Sequence, residues 1–212
     1  MASAGCGGGA EPPPRLVDRS VAPPVPGVLE NLDGAVMTRV AVHRASSSSG
    51  RGYRGCFQLA GDTPRVGSAV VERTGAAGFS VTFVAQDDLL SCDAIADRIS
   101  DKNFPPGAPW CGGSAGVLRN GHLNDPRLHL CESRDGSWIA FAWIEPSTHT
   151  RWVVLREPGY RAIYRVAGSL PVRIEGKRRL RDGQARASYD LEEYALDGHR
   201  LRAYTLETAV AG

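Results

Sequence analysis

Lysine is almost missing from this chain: Lys102 and Lys177 stand against twenty-three arginines in 212 residues. With 25 glycines and abundant alanine, that balance reads as the codon usage of a GC-rich genome and excludes no function. Net charge is scarce as well. The formal charge of +2 at pH 7 is too small to imply a nucleic-acid partner. No apolar run reaches the roughly 18–20 residues that a membrane-spanning helix needs, so contact with a membrane would require an attached lipid. None of the five cysteines forms C-x-x-C, and none has histidine at metal-ligand spacing, which removes zinc and thioredoxin-type readings. His122, Asp125 and His129 are of ligand type, but Pro126 interrupts them. A turn histidine followed by a strand histidine is the preferred account, so neither a metal nor a cofactor is expected.

The cysteines that are present carry information. Cys6 stands apart, while Cys56, Cys92, Cys111 and Cys131 lie in the body of the chain. An even set of isolated cysteines on strand-like segments points to two disulfides and an oxidising compartment. The alternative is a cytosolic protein with reduced cysteines. Four cysteines allow three pairings. Cys56 with Cys92 and Cys111 with Cys131 are preferred, because they nest with local hairpins and keep each half self-contained. At the start of the chain, Ser3-Ala4-Gly5-Cys6 followed by GGGAEPPP resembles the processing site of bacterial lipoproteins, in which a small-residue stretch ends in the lipid-bearing cysteine. Ser3 departs from the leucine usual in that family, and the charged and apolar parts of a signal peptide are expected upstream of Met1. The resemblance implies that Cys6 is a lipid anchor and that the protein sits outside the cytoplasm at the cell surface. The stretch AEPPPRLVDRSVAPPVPG is then a Pro-rich tether, extended at about 3 Å per residue. Residues 1–27 form this tether and 28–212 the folded domain, with two lobes meeting near 104–116 as a possible subdivision.

From Gly34 onward, short apolar segments alternate with Gly, Asp, Pro and Ser clusters, the cadence of an all-β protein. Strands are expected at 35–42, 53–59, 66–73 and 79–84, with Gly75–Gly78 as a hairpin loop between the last two. The segment 91–99 reads as a short helix, capped by Ser91, with Ala94, Ile95 and Ile99 on one stripe. The Pro- and Gly-rich segment 104–116 reads as irregular. Asp135-Gly136 signals a two-residue hairpin that would set Leu130 opposite Phe141 and Leu128 opposite Trp143. Both faces of that hairpin are apolar or small, which suits the centre of a sandwich. Further strands are expected at 152–155 and 160–166, the latter with Tyr160, Ala162, Tyr164 and Val166 on one face. A second hairpin at Asp197-Gly198 would oppose Tyr194 to Leu201 and Glu193 to Arg202. The expected fold is an antiparallel β-sandwich built from hairpins.

Gly112-Gly113-Ser114-Ala115-Gly116 fits G-x-S-x-G, the nucleophile-elbow pattern, and the chain order Ser114, Asp190, His199 matches that of such hydrolases. An elbow, however, requires a buried strand before the serine and a helix after it. Pro105-Pro106-Gly107-Ala108-Pro109 precedes it, and Gly121 ends the following segment too soon. The preferred reading makes the glycines conformationally permissive residues beside a disulfide. Lys177, Arg178, Arg179, Arg181 and Arg186 form a basic run that is suited to gripping an anionic polymer or to a solvated hairpin tip. Trp138, Trp143, Tyr160 and Tyr164 are suited to an aromatic face for a sugar or other ligand, but core packing of the sandwich is the preferred reading, because they alternate with other apolar residues.

The closing portion, from DPRLHLCESRDGSWIAFAWIEP through LDGHRLRAYTLETAVAG, is similar in style to uncharacterised exported β domains of GC-rich actinobacteria. That resemblance implies no particular activity. The expected function is a non-catalytic exported or cell-surface binding module, with a cell-envelope component or another surface protein as partner. The alternative from a different class is a serine hydrolase using Ser114.

Overall fold

Residues 138–144, WIAFAWI, carry no charge, and a strand apolar on both faces is stable only between two other layers. The computed structural model describes residues 26–30, 32, 34–46, 54–76, 78–95, 110–124, 126–133, 135–180 and 186–209, and it places this strand in such a position. In chain order the elements begin with α1 (Gly27–Glu30), β1 (Ala35–Met37), β2 (Arg39–Arg44) and α2 (Arg54–Ala60). A meander follows: β3 (Ala69–Thr74), β4 (Gly78–Ala85), β5 (Asp88–Ile95), β6 (Trp110–Arg119) and β7 (His122–Asn124). The chain continues through β8 (His129–Glu132), β9 (Trp138–Ile144), β10 (Trp152–Glu157) and β11 (Tyr160–Arg165). It ends with β12 (Val172–Leu180), β13 (Arg186–Tyr194) and β14 (Arg200–Ala209).

These strands make three stacked sheets. The outer ones have orders β1-β11-β10-β13-β14 and β2-β3-β4-β5-β6-β7; the middle one is β12-β9-β8. All described pairings are antiparallel except β1 with β11. On β9, Ala140, Ala142 and Ile144 pack with Val153, Leu155, Ala162, Tyr164 and Leu191 of the five-stranded sheet. Ile139, Phe141 and Trp143, on its other face, pack with Leu89, Ile95 and Ala115 of the six-stranded sheet. The outward faces are covered by short helices. Leu29 of α1 lies on Trp152, Val154 and Ile163, while Cys56 and Phe57 of α2 lie on Val81, Phe83 and Leu90. The all-β sandwich expected from the sequence is therefore present, three sheets deep.

Two disulfides cross between layers. Cys56–Cys92 ties α2 to β5, and Cys111–Cys131 ties β6 to β8 of the middle sheet. These are the two pairs preferred from the sequence.

Several local expectations are corrected. The helix expected near 91–99 is strand as far as Ile95, and 96–99 lie outside the described residues. Cys92 faces α2 while its neighbours face the middle sheet, so burial on both faces removes the alternation that would have marked a strand. The helix is instead at 54–60, where a strand was expected. Its buried residues Cys56, Phe57 and the half-buried Ala60 follow a helical spacing, and Gly61 at φ +79° closes it with an N–H bond to the Phe57 carbonyl. Residues 110–116 are part of β6 rather than irregular; 104–109 lie outside the described residues. The strand expected at 35–42 breaks at Thr38, which hydrogen-bonds the Ile163 carbonyl as the chain passes from one outer sheet to the other.

Both Asp-Gly hairpins have three-residue loops instead of two. Ser133 pairs with Ser137, and Ala195 with His199, with Gly136 and Gly198 at φ +78° and +86°. The first register consequently slips by one residue, setting Leu130 opposite Ala140 and His129 opposite Phe141. In the second, Glu193 does oppose Arg202, but a bulge sets Tyr194 opposite Arg200 rather than Leu201.

Candidate functional site

Strand β12 is an edge of the middle sheet, and its pairing with β9 is irregular. Glu175 stands opposite Phe141 and Arg179 opposite Ile139, so three residues of β12 face one of β9. The bulge opens a cleft of about 580 Å³ between the sheets. Its walls come from Val36 of β1, Ala76 of the β3–β4 turn, Tyr160 of β11, and Glu175, Gly176, Lys177 and Arg179 of β12. Lys177 and Arg179 are exposed, whereas Glu175 is 1% exposed.

Glu157, at the end of β10, locks the bulge. Its Oε2 accepts the Lys177 backbone N–H at 2.7 Å. A Cβ at Gly176 would meet the end of the Glu157 side chain and stand 3.1 Å from the Tyr189 ring, so a larger residue here requires Glu157 to move. A Cβ at Gly75, next to Ala76, would likewise meet the end of the Glu175 side chain. Tyr160 is buried, yet its hydroxyl makes no hydrogen bond to a described residue. Burial, with Glu175 and Glu157 nearby, raises its phenol well above the ordinary value.

Behind the cleft lies a buried ionic cluster between the middle and six-stranded sheets. Arg173 Nη1 donates to Glu175 Oε2 at 2.8 Å, and its Nε lies 2.5 Å from Asp93 Oδ1, a charge contact off the hydrogen-bond line. The guanidinium sits 3.9 Å from the centre of the Phe141 ring. Tyr164 bridges to the five-stranded sheet: its hydroxyl donates to the Glu175 carbonyl and accepts the Glu175 N–H, both at 3.0 Å. Arg73 of β3 donates to the Arg165 carbonyl at 3.0 Å. Burial pushes the Asp93 carboxyl up to about 6 against the pull of Arg173. Burial and then the Arg173 charge bring Arg73 down to about 10. Burial also opposes the charge on Arg173, but Asp93 and Glu175 outweigh it and hold the guanidinium above its usual value. The carboxylates behind the cleft thus share the Arg173 guanidinium inside the fold.

The serine-hydrolase residues are not brought together. Ser114 lies on β6 with its hydroxyl buried and without a partner. Asp190, on β13, accepts the Thr205 hydroxyl at 2.7 Å, and the backbone N–H of His199 bonds Asp197 in the β13–β14 turn. No hydrogen bond joins any two of the three. The histidine beside Ser114 is His129, whose Nε2 donates to the Ser114 carbonyl at 2.8 Å rather than to its hydroxyl. His122 is exposed and pairs with Glu145, while Asp125 lies outside the described residues. Among the described residues no group of three His, Cys, Asp or Glu is placed to hold a metal ion.

The basic run divides. Lys177 and Arg179 line the cleft, whereas Arg186 is exposed at the start of β13, opposite Ala209. The side chain of Arg178 and all of Arg181 lie outside the described residues, as does Cys6. The run is not a hairpin tip, because β12 and β13 belong to different sheets. Sequence reasoning missed Glu175, Arg173 and Asp93. In VRIE, alternation assigns Arg173 and Glu175 to a solvent face, and only the third sheet, laid over that face, buries them.

Glu192 and Glu193 of β13 form a second set of ion pairs with a structural role. Glu193 is fully buried and accepts bonds from Ser147 N–H, Thr150, Arg202 and Tyr204 at 2.6–3.0 Å. Glu192 accepts from Arg156, Tyr194 and Arg200. With both carboxylates saturated by groups of β10, β13, β14 and the β9–β10 loop, neither is available to a ligand.

No protein-family model matches the chain, and neither a curated protein nor a solved structure matches it.

Proposed function

We propose that this chain is a non-catalytic binding module that works outside the cytoplasm, held at the cell surface by a lipid on Cys6. The observation that carries the reading is the cleft at the β12 bulge, about 580 Å³ in volume and within the range of small-ligand sites. Its inner carboxylate is engaged by Arg173, so the cleft presents contacts to a ligand rather than an unpaired nucleophile and base. The two disulfides support an oxidising location, since such bonds persist where thiols are not kept reduced.

Amide chemical-shift mapping with a fragment set of sugars, amino acids and short peptides tests the reading. Shifts should concentrate at 159–160 and 175–179, with every added fragment recovered unchanged. Chemical conversion of a fragment, or shifts confined to other surfaces, would overturn it. Labelling by a fluorophosphonate that disappears in Ser114→Ala would favour the hydrolase alternative. The anchor has its own readout: the full-length product should partition into detergent, and Cys6→Ala should leave it in the aqueous phase.

A further inference from the structure

A sheet that ends in a strand leaves backbone donors and acceptors facing outward, and proteins usually shorten, charge or cover such an edge. Most edges of this fold are managed in that way. On β12 the Tyr164 hydroxyl engages the N–H and carbonyl of Glu175, and the Glu157 carboxylate takes the Lys177 N–H. β1 and β7 are three residues long and β8 four, and on β7 the Leu123 N–H is bonded by Glu145. β2 carries Arg39, His43 and Arg44. The edge at β14 is different. It is ten residues long, has neither proline nor lysine, and keeps an unbroken register with β13 from Arg202 to Ala209. Among the described residues no backbone hydrogen bond reaches its outer side. A groove of about 180 Å³ lies beside Leu206, Glu207 and Thr208, between β14 and Ala142 and Trp143 of β9, so this stretch is open to a partner.

The strand is complementary to itself. Arg200 stands at one end, bonded to Glu192 yet with 59% of its side chain exposed, and exposed Glu207 stands near the other. Two copies running antiparallel bring these unlike ends together, whereas parallel copies would bring like charges together. A two-fold axis at Thr205 sets Tyr204 opposite Leu206 of the second copy, Ala203 opposite Glu207, and Leu201 opposite Ala209. An axis at Tyr204 would instead set Leu201 against Glu207 and Arg202 against Leu206, apolar against charged. The Thr205 register also continues an existing apolar layer, because Tyr204 and Leu206 are half-buried at the rim of the core beneath the five-stranded sheet. Leu201 is exposed, as are Leu196 and Val28 around the turn at Gly198, and they widen that apolar rim at the start of the strand. We propose that β14 is the interface of a homodimer, in which two copies pair edge to edge about Thr205 and join their five-stranded sheets into one. The cleft at the β12 bulge lies beside β1 and β11, at the other edge of the same sheet, and stays open in both copies.

Sedimentation velocity of the full, oxidised chain over about 1–200 µM should show the mass rising towards that of a dimer. Amide exchange at 201–209 should slow over the same range. Glu207→Arg sets like charges at both ends of the pairing and should weaken association about tenfold. Asp88→Arg, the same change of charge on the other outer sheet, should leave association unchanged. Thr205→Cys in a Cys6→Ala background should cross-link on mild oxidation, because the axis places the two thiols opposite each other, and Glu207→Cys should not. Native far-ultraviolet dichroism in each variant shows that the fold is intact. A monomer at every concentration would overturn the proposal, whether the edge then stays bare or takes up an extended segment of another protein. So would a dimer without slowed exchange at 201–209, an equal loss in the two charge variants, or equal cross-linking of the two cysteine variants.

Discussion

Gly112 runs at φ +139° within a strand, where a Cβ would run into the Ser91 carbonyl oxygen and stand 2.9 Å from Cys92 Cα. Gly113 has nearly the same backbone, φ +143°, but open space around it. The pair separates two effects usually seen together. Gly113→Ala should lose only the conformational part, about 1–2 kcal/mol, whereas Gly112→Ala must also push β6 away from β5 and should lose about 3 kcal/mol or more. Urea midpoints measure both, and equal losses would show that close approach is not what requires Gly112. At the same scale, Asp93 supplies a pH signature. Its folded carboxyl titrates at about 6, above the roughly 3.9 expected unfolded. The folded state therefore holds the proton more tightly. The associated stability, about 3 kcal/mol, is fully present below pH 4 and is lost as pH rises through 6. Asp93→Asn keeps the shape and removes the titration, so the difference between wild-type and variant stability should change across pH 4–7. A constant difference would refute the assignment. Glu192 and Glu193 act in the opposite sense. Burial works against their charge, but bonds from Arg156 and Tyr194 to the first, and from Arg202 and Thr150 to the second, hold both carboxyls below the usual value. Their contribution is present at neutral pH and is lost on acidification through their folded pKa values.

At the scale of elements, the two Asp-Gly hairpins show what the sequence can and cannot specify. Their existence was legible from Asp135-Gly136 and Asp197-Gly198 between apolar runs, and so was the two-sided burial of the 138–144 strand. Loop length was not. In both loops the aspartate carboxylate accepts the N–H two residues on, Ser137 in one and His199 in the other, and the glycine takes the left-handed position of a three-residue loop. That one extra residue moved the first register, and nothing local announces it. The exchange of strand and helix between 54–60 and 91–95 has another cause. Residues 91–95 lose their alternation because Cys92 is covered by α2 and Asp93 by the middle sheet, contacts made by distant segments. Of the candidate site, Lys177 and Arg179 could be found beforehand because they belong to a charge run, and Tyr160 because it belongs to an aromatic set. Glu175 and Tyr160 join them through the β12 bulge and the stacking of sheets. The loops also yield a comparison. Gly136 has open space, whereas a Cβ at Gly198 would stand 2.6 Å from Pro26 Cβ and 2.7 Å from Val28 Cγ1. Asparagine tolerates left-handed backbone, so Gly136→Asn should cost about 0.5 kcal/mol or less, and Gly198→Asn about 1–2 kcal/mol more. Equal midpoints for the two variants would mean that the segment around Pro26 does not press on this turn.

For the molecule as a whole, the question is whether three sheets unfold as one. The middle sheet is too small to stand alone, with three strands and apolar residues on both sides, and each outer sheet uses it as half of a core. Its two interfaces differ. The one with the five-stranded sheet is an apolar layer, whereas the one with the six-stranded sheet mixes apolar contacts with the Arg173 cluster and the Cys111–Cys131 bridge. Buried ion pairs contribute little net stability after desolvation, so the covalent link carries more weight at the second interface. On the chain-entropy model each bridge contributes about 3–4 kcal/mol. Replacing Cys111 and Cys131 together by alanine should therefore lower stability by about 3 kcal/mol and weaken the six-stranded side first. Replacing Cys56 and Cys92 releases α2 at a similar energetic cost but leaves the sheet stack linked. Amide hydrogen exchange distinguishes the two. In the first variant, protection should fall across β3–β6 relative to β10–β13, with tryptophan fluorescence and far-ultraviolet dichroism losing coincidence in urea. In the second, the transition should shift as a whole and stay single. A single coincident transition in both variants would show that the Arg173 cluster and the packing of Phe141 and Trp143 suffice to couple the layers without sulfur.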